Sequence, residues 1–147
     1  MKALAGVRDG RAPLDFALDL RARLVGDRWD ADDGPELVEE AARRELLGDA
    51  RARIAPGALL VFDRAVERKP ASLVAVALAT DDRGVTTMIF LAAGVVRIGA
   101  VDPAHPAVKR DASGAIRNTF LRHREEEPPP GTHFLAGELL AHVIAPP

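Results

Sequence analysis

Cysteine is absent from all 147 residues, which removes disulfides, thiolate metal sites and thiol catalysis in one step. Charge of one sign is also never concentrated: 20 Lys and Arg stand against 22 Asp and Glu, a net charge of -2. These residues are scattered, so the basic footprint of a nucleic-acid binder is missing. The longest apolar run, Ser72 to Ala79, stops at Thr80-Asp81-Asp82, well short of a membrane span. Nucleic acid and a membrane span are therefore not expected, and no repeat or cofactor motif is present. The start, Met1 to Val7, reaches Arg8 before any apolar stretch of signal-peptide length. As written the chain is expected in the cytoplasm, and a cell-envelope location would require removal of a leader.

What is present is sufficient for one domain over residues 1–147, with a single core. Its centre is Ala58 to Gly99. Four short runs rich in Val, Ile, Leu, Thr and Phe (Ala58–Phe62, Ser72–Ala79, Val85–Leu91 and Val95–Gly99) are separated by breaks that include Asp81-Asp82-Arg83-Gly84 and Ala92-Ala93-Gly94. This is the pattern of an antiparallel meander. Ahead of it, Pro13 opens a helix over Leu14–Val25, closed by Gly26, and Pro35 opens a second to about Leu47, stopped by Gly48. Glu39 with Arg43 and Glu40 with Arg44 stand at i,i+4 on the second helix. After Gly99, the prolines at 103 and 106 predict extended chain. Asp111-Ala112-Ser113-Gly114 reads as a turn, Ile116–Leu121 as a short strand, and Glu125–Gly131 as a charged, proline-rich loop. A short helix over His133–Ile144 follows, with Thr132 as its N-cap. Helices segregated from a mostly antiparallel sheet make an α+β domain.

Side chains able to carry chemistry each have a plain structural explanation. His105, His123, His133 and His142 match no compact metal motif, so no metal site is expected. Ser72 and Ser113 lie outside any Gly-x-Ser-x-Gly elbow. Asp81, Asp82 and Arg83 suit a hairpin turn. Asp30, Asp32 and Asp33 lack the remaining ligand spacing of a calcium loop and fit a solvated segment before the second helix. Arg97, Asp102, Lys109, Arg110, Asp111 and Asn118 could rim a groove beside the sheet, and Trp29, the single Trp, anchors its acidic loop.

The order helix, Pro-Gly, strand, Ser-x-Val-x-Val strand, hairpin, Gly-Val-Val strand resembles the NlpC-type cell-wall peptidases, relatives of the CHAP amidases within the papain-like cysteine peptidases. In that family a Pro-Gly-Asp-Leu-Val-Phe-Phe motif opens the first core strand. Here Ala55-Pro56-Gly57-Ala58-Leu59-Leu60-Val61-Phe62-Asp63 is similar to it, with Ala58 in place of the Asp. The next family strand begins Ser-His-Val-Gly-Ile, its His being the general base. Ser72-Leu73-Val74-Ala75-Val76 places Leu73 at that position. A third polar residue falls where this chain has Ile89-Phe90-Leu91, and the nucleophilic Cys heads the first core helix, here about Pro13-Leu14-Asp15-Phe16.

The resemblance, spanning Pro13 to Gly99 and more loosely to Leu140, implies a papain-like NlpC-type fold whose catalytic positions Leu14, Leu73 and Leu91 are all apolar. It thereby implies a pseudoenzyme, a binding or scaffold module of the cell envelope with a peptidoglycan fragment or a protein as partner. Two other readings stay open. One is a hydrolase of peptidoglycan-like amides by a non-thiol mechanism, which a retained polar cleft would favour. The other is a structural, self-associating domain, which an exposed apolar patch would favour. On the family geometry, Leu73→His with a Cys at any of Pro13 to Phe16 is expected to rebuild the reactive pair.

Overall fold

A computed structural model describes residues 4–49, 52–65, 69–121 and 133–147. Helix α1 covers Pro13–Val25 and ends on Gly26, whose φ of 74° lets its N–H return to the Ala22 carbonyl. Helix α2 covers Gly34–Arg43. Its N-cap is Asp33, which accepts from the Glu36 N–H at 2.9 Å. Strands β1 (Leu47–Gly48), β2 (Leu59–Phe62), β3 (Leu73–Thr80), β4 (Thr86–Ala92), β5 (Val95–Val101) and β6 (Leu140–Ile144) form one sheet in the order β1-β6-β2-β3-β4-β5, and a one-turn helix α3 (Ala136–Leu139) precedes β6. Every pairing is antiparallel. The α+β class and the meander thus stand as read from the sequence.

The meander turns use the chemistry their residues suggest. Ala93 and Gly94 both have positive φ, 50° and 74°, between the paired Ala92 and Val95, the two-residue hairpin that matches strand twist. At the β3–β4 turn, Asp81 Oδ1 accepts from the backbone N–H of Arg83 and of Val85, at 2.9 and 3.0 Å. Arg83 then reaches Asp111 at 2.8 Å and ties this turn to the next hairpin.

Two cores lie on the two faces of the sheet. Leu59, Val61, Val74, Val76, Ile89 and Leu91 face α1 and α2. Leu60, Phe62, Leu73, Ala75, Met88 and Phe90 face the other way, against Ala136, Leu139 and Val143. Because β2, β3 and β4 are covered on both sides, they read as near-continuous apolar runs rather than as alternation.

Three segments depart from expectation. Helix α2 ends at Arg43, not near Leu47. Glu45 adopts a φ of 57°, and Leu47 and Gly48 pair with Ile144 and Val143, so Gly48 is a strand residue and not a helix stop. The C-terminal helix lasts one turn, and Leu140–Ile144 is the strand β6. Leu135, Leu139 and Val143 do recur at helical spacing, but β6 fills the gap between β1 and β2, and that pairing satisfies backbone groups a helix would leave open along β2. Beyond Val101 the chain turns instead of extending. Asp102 Oδ1 accepts from the Ala104 N–H at 3.1 Å and the Asp102 carbonyl from His105 N–H at 3.2 Å, an aspartate-nucleated turn that overrides the preference imposed by the prolines.

The Ile116–Leu121 stretch makes single bridges, Ile116 with Arg110 and Phe120 with Leu135, rather than a strand. Thr132, His123 and the Glu125–Gly131 loop lie outside the described residues.

The turn at Asp111 makes a prediction about acid. Its carboxyl is held down at about 2, first by the Ser113 hydroxyl and then by the Ala115 and Ser113 N–H groups and Arg83. The folded value lies below the unfolded one of about 3.9. The stabilisation is therefore complete above pH ~4 and is lost as pH falls through about 2. The amide resonances of Ser113 and Ala115 are expected to titrate together with a midpoint near 2, and a midpoint at the ordinary aspartate value would refute the assignment.

Candidate functional site

The residues at the degenerate catalytic positions are not brought together. Leu14 packs at the edge of the helix-side core and Leu91 is buried within it, whereas Leu73, 3% exposed, belongs to the core on the opposite face. Helix α1 does cross β3 and β4. It does so on the face that Val74 and Val76 present, with the β3 backbone between it and Leu73. A Cys at Pro13–Phe16 and a His at position 73 would be separated by the sheet, so that pair of substitutions does not rebuild a reactive dyad.

The helix terminus that meets the start of β3 is that of α2. Gly34, its first residue, is buried against Ala71 so closely that a Cβ there would fall 1.8 Å from the Ala71 carbonyl oxygen and 2.8 Å from its carbonyl carbon. Ala71 is itself constrained. Its φ is 47°, a left-handed conformation uncommon for a residue with a side chain, and its N–H donates to Asp63 Oδ1 at 2.7 Å. Ser72 N–H donates to the Phe62 carbonyl at 2.9 Å, which starts the β2–β3 ladder. Backbone is thus packed on backbone at this junction, and no side chain can project from the first residue of α2.

The polar residues expected to rim a groove divide into a clamp and a surface set. Asp102 is fully buried and accepts from Arg117 at 2.7 Å and from His105 Nδ1 at 3.0 Å. Asn118, equally buried, accepts from the Asp102 N–H at 2.8 Å and donates to the His105 and Val108 carbonyls. Every side-chain polar atom of this pair has a partner, so the cluster fixes the turn after β5. Arg97 is exposed on β5, Lys109 lies 4.3 Å over the Phe120 ring, and Arg110 donates to the Gly114 carbonyl.

Of the other candidates, Asp33 caps α2, Asp32 donates its N–H to Glu36, and Asp30 lies 3.6 Å from Arg28. His142 sits in β6, and His133 Nδ1 is 2.9 Å from Glu138 Oε2. Among the described residues no group of three His, Cys, Asp or Glu side chains converges as a metal site, and no helix is long and apolar enough to cross a membrane.

Two features are not evident from the sequence reading. One is Gly34, whose only local cue is a glycine where an N-capped helix begins. The other is Arg21, an arginine between the apolar Leu20 and Ala22, with a side chain 1% exposed. A cation interrupting an apolar stripe is the signal that could have found it. Three comparisons with known proteins, against family models, curated sequences and solved structures, found no match to this chain.

Proposed function

We propose that this chain is a catalytically inactive domain of NlpC-type arrangement that serves as a binding or scaffold module, associated with the cell envelope. The support is the order of its parts. The Pro56-Gly57 turn leads into β2, Ser72 leads into β3, and the hairpin to β4 and the Gly94-Val95-Val96 start of β5 follow in the order of the resemblance. In a thiol peptidase of this kind the cysteine heads the first core helix, the position of Pro13–Phe16 in α1, where the helix terminus and a neighbouring histidine favour its thiolate; this chain has no cysteine.

The observation that carries the reading is the absence of any cysteine, with apolar residues at Leu14, Leu73 and Leu91, the positions the resemblance makes catalytic. The α2 N-terminus is also closed onto the Ala71 backbone, leaving no room for a side chain at Gly34. Leu73, packed against Phe62 and Leu139 on the far face, supplies no base. Histidines 105 and 133 are each bound to a carboxylate, with no nucleophilic Ser or Thr hydroxyl among their hydrogen-bond partners in the described residues.

The full chain, incubated with peptidoglycan sacculi and with stem-peptide amides, is expected to release no new amine or carboxylate over a no-protein control. It is also expected to co-sediment with the sacculi. Amide cleavage abolished by substituting His105 or His133 would replace this reading with the non-thiol hydrolase, and failure to co-sediment would remove the peptidoglycan fragment as its ligand.

A further inference from the structure

A cleft of about 350 Å3 lies between the turn after β5 and the α3 turn. Pro103, Pro106 and Ala107 form one wall, and Gly137 and Leu140 the other. Among the described residues, the charged or titratable groups lining it are His133 and Glu138. Both walls are held. The Asp102 clamp fixes the proline turn, and Gly137 is pressed so near it that a Cβ would come within 2.6 Å of Pro106 Cα and 2.7 Å of Asn118 Oδ1.

Glu138 is fixed at both oxygens. Oε1 accepts from the Leu135 N–H at 3.3 Å and Oε2 faces His133 Nδ1 at 2.9 Å. A neutral imidazole donating Nδ1–H to that carboxylate retains its Nε2 lone pair as an acceptor. The cleft therefore offers a carboxylate and an imidazole nitrogen, with no Lys or Arg among its described lining residues and with small apolar walls. Acceptors beside apolar wall residues in a cleft of this size are the pattern of a small-ligand site.

We propose that this cleft binds a primary ammonium group carried on a short apolar body. The N–H donors of the ammonium are directed to Glu138 and to His133 Nε2, and its alkyl part lies between the Pro106 and Leu140 walls. Anions are excluded by the carboxylate, and neutral alcohols lose the charge-assisted bond. The inference goes beyond the reading of the α2–β3 junction and does not depend on it, because the two sites share no residue.

The test uses the 147-residue chain, 15N-labelled, titrated at pH 7.5 with n-butylamine, 1-butanol and butyrate. Saturable shifts of the Gly137 and Ala107 amides and the His133 imidazole are expected with the amine. Binding of the alcohol, and binding of the amine to Glu138→Gln, should be weaker by about tenfold or more, roughly the 1.4 kcal/mol of one tenfold step in affinity. The glutamine keeps an oxygen for the Leu135 N–H. If Glu138→Gln fails to fold, Ala107→Trp decides the matter, since it fills the cleft from an exposed rim position and is expected to abolish the shifts. Absence of saturable shifts, equal binding of alcohol and amine, preference for butyrate, or unchanged binding in either folded variant would overturn the proposal. None of these results would bear on the amide-cleavage assay.

Discussion

Gly34→Ala is expected to destabilise the protein by about 4 kcal/mol or to prevent folding, which reverses the sign that helix propensity alone assigns to it. In an open helix, replacing Gly with Ala stabilises by up to ~1 kcal/mol, because alanine loses less backbone entropy on folding. Here the added methyl would lie 1.8 Å from the Ala71 oxygen, well inside any tolerable contact. The obstructing atom is backbone, not the movable end of a side chain, so relief requires α2 or the start of β3 to shift. Both are pinned, α2 by the buried Leu37 and Ala41 and the strand by its ladder to β2.

A paired control separates this cause from general fragility. Gly10→Ala, with open space around its Cβ, should leave the midpoint of thermal unfolding within experimental error. Ala71→Gly alone relieves a left-handed alanine and should be mildly stabilising, yet it should not rescue Gly34→Ala, because the carbonyl oxygen remains. Full rescue would show that the Ala71 side chain, 2.8 Å from the same methyl, is the true obstruction. No loss on Gly34→Ala would show that the junction is not closed.

The meander was legible because its information is local. Each meander strand is an apolar run next to an Asp-, Gly- or Ala-Gly-containing break, and α1 and α2 each have a proline among their first two residues with Asp or Glu in the first turn. The site was not legible, because it depends on register between strands. Val76 pairs with Ile89, so Val74, Val76, Ile89 and Leu91 share one face, and Leu73, one residue off that parity, must point to the other. Motif order alone placed Leu73 beside the first helix. The strand pairing places it behind the sheet. β6 was misread for a related reason: Leu-Ala-His-Val-Ile carries a helical spacing locally, while its pairing partners lie about eighty and ninety-five residues earlier, in β2 and β1. Gly34 similarly acquires its meaning only from Ala71, across a loop that no local pattern closes.

Arg21→Ala is expected to cost about 3 kcal/mol, a fall of roughly 6–12 °C in the unfolding midpoint for a chain of this size. The guanidinium joins α1 to the approach to β2 and to the residue that follows β6. Its Nε donates to the Gly57 carbonyl at 3.2 Å, one terminal nitrogen to the Ala145 carbonyl at 3.2 Å, and the other to Asp27 at 3.3 Å. It also stacks 5.0 Å from the Trp29 ring, which Arg44 covers at 4.2 Å, while the indole N–H donates to the same Asp27 oxygen at 2.6 Å. Burial pushes the Arg21 pKa down, with Asp27 opposing the shift and Arg44 adding to it. The group nonetheless stays ionised, as guanidinium does in proteins.

Truncation to alanine removes three donors at once and opens a void beside a tryptophan that is 1% exposed. The two carbonyls then lose a charged partner in a setting where water enters poorly. Asp27 is half-exposed and recovers hydration, so its share of the loss is small. Arg21→Lys tests the geometry rather than the charge. A lysine stem keeps the packing, but a single ammonium cannot span carbonyls on the β2 approach and on the C-terminal segment in the planar fork the arginine uses. About half the loss is therefore expected for lysine, with Trp29 fluorescence shifting to the red in the alanine variant and less so in the lysine one. Equal losses in the two variants would mean that the bonds matter and the packing does not. A lysine variant as stable as the parent would mean that charge alone holds α1 to the sheet ends.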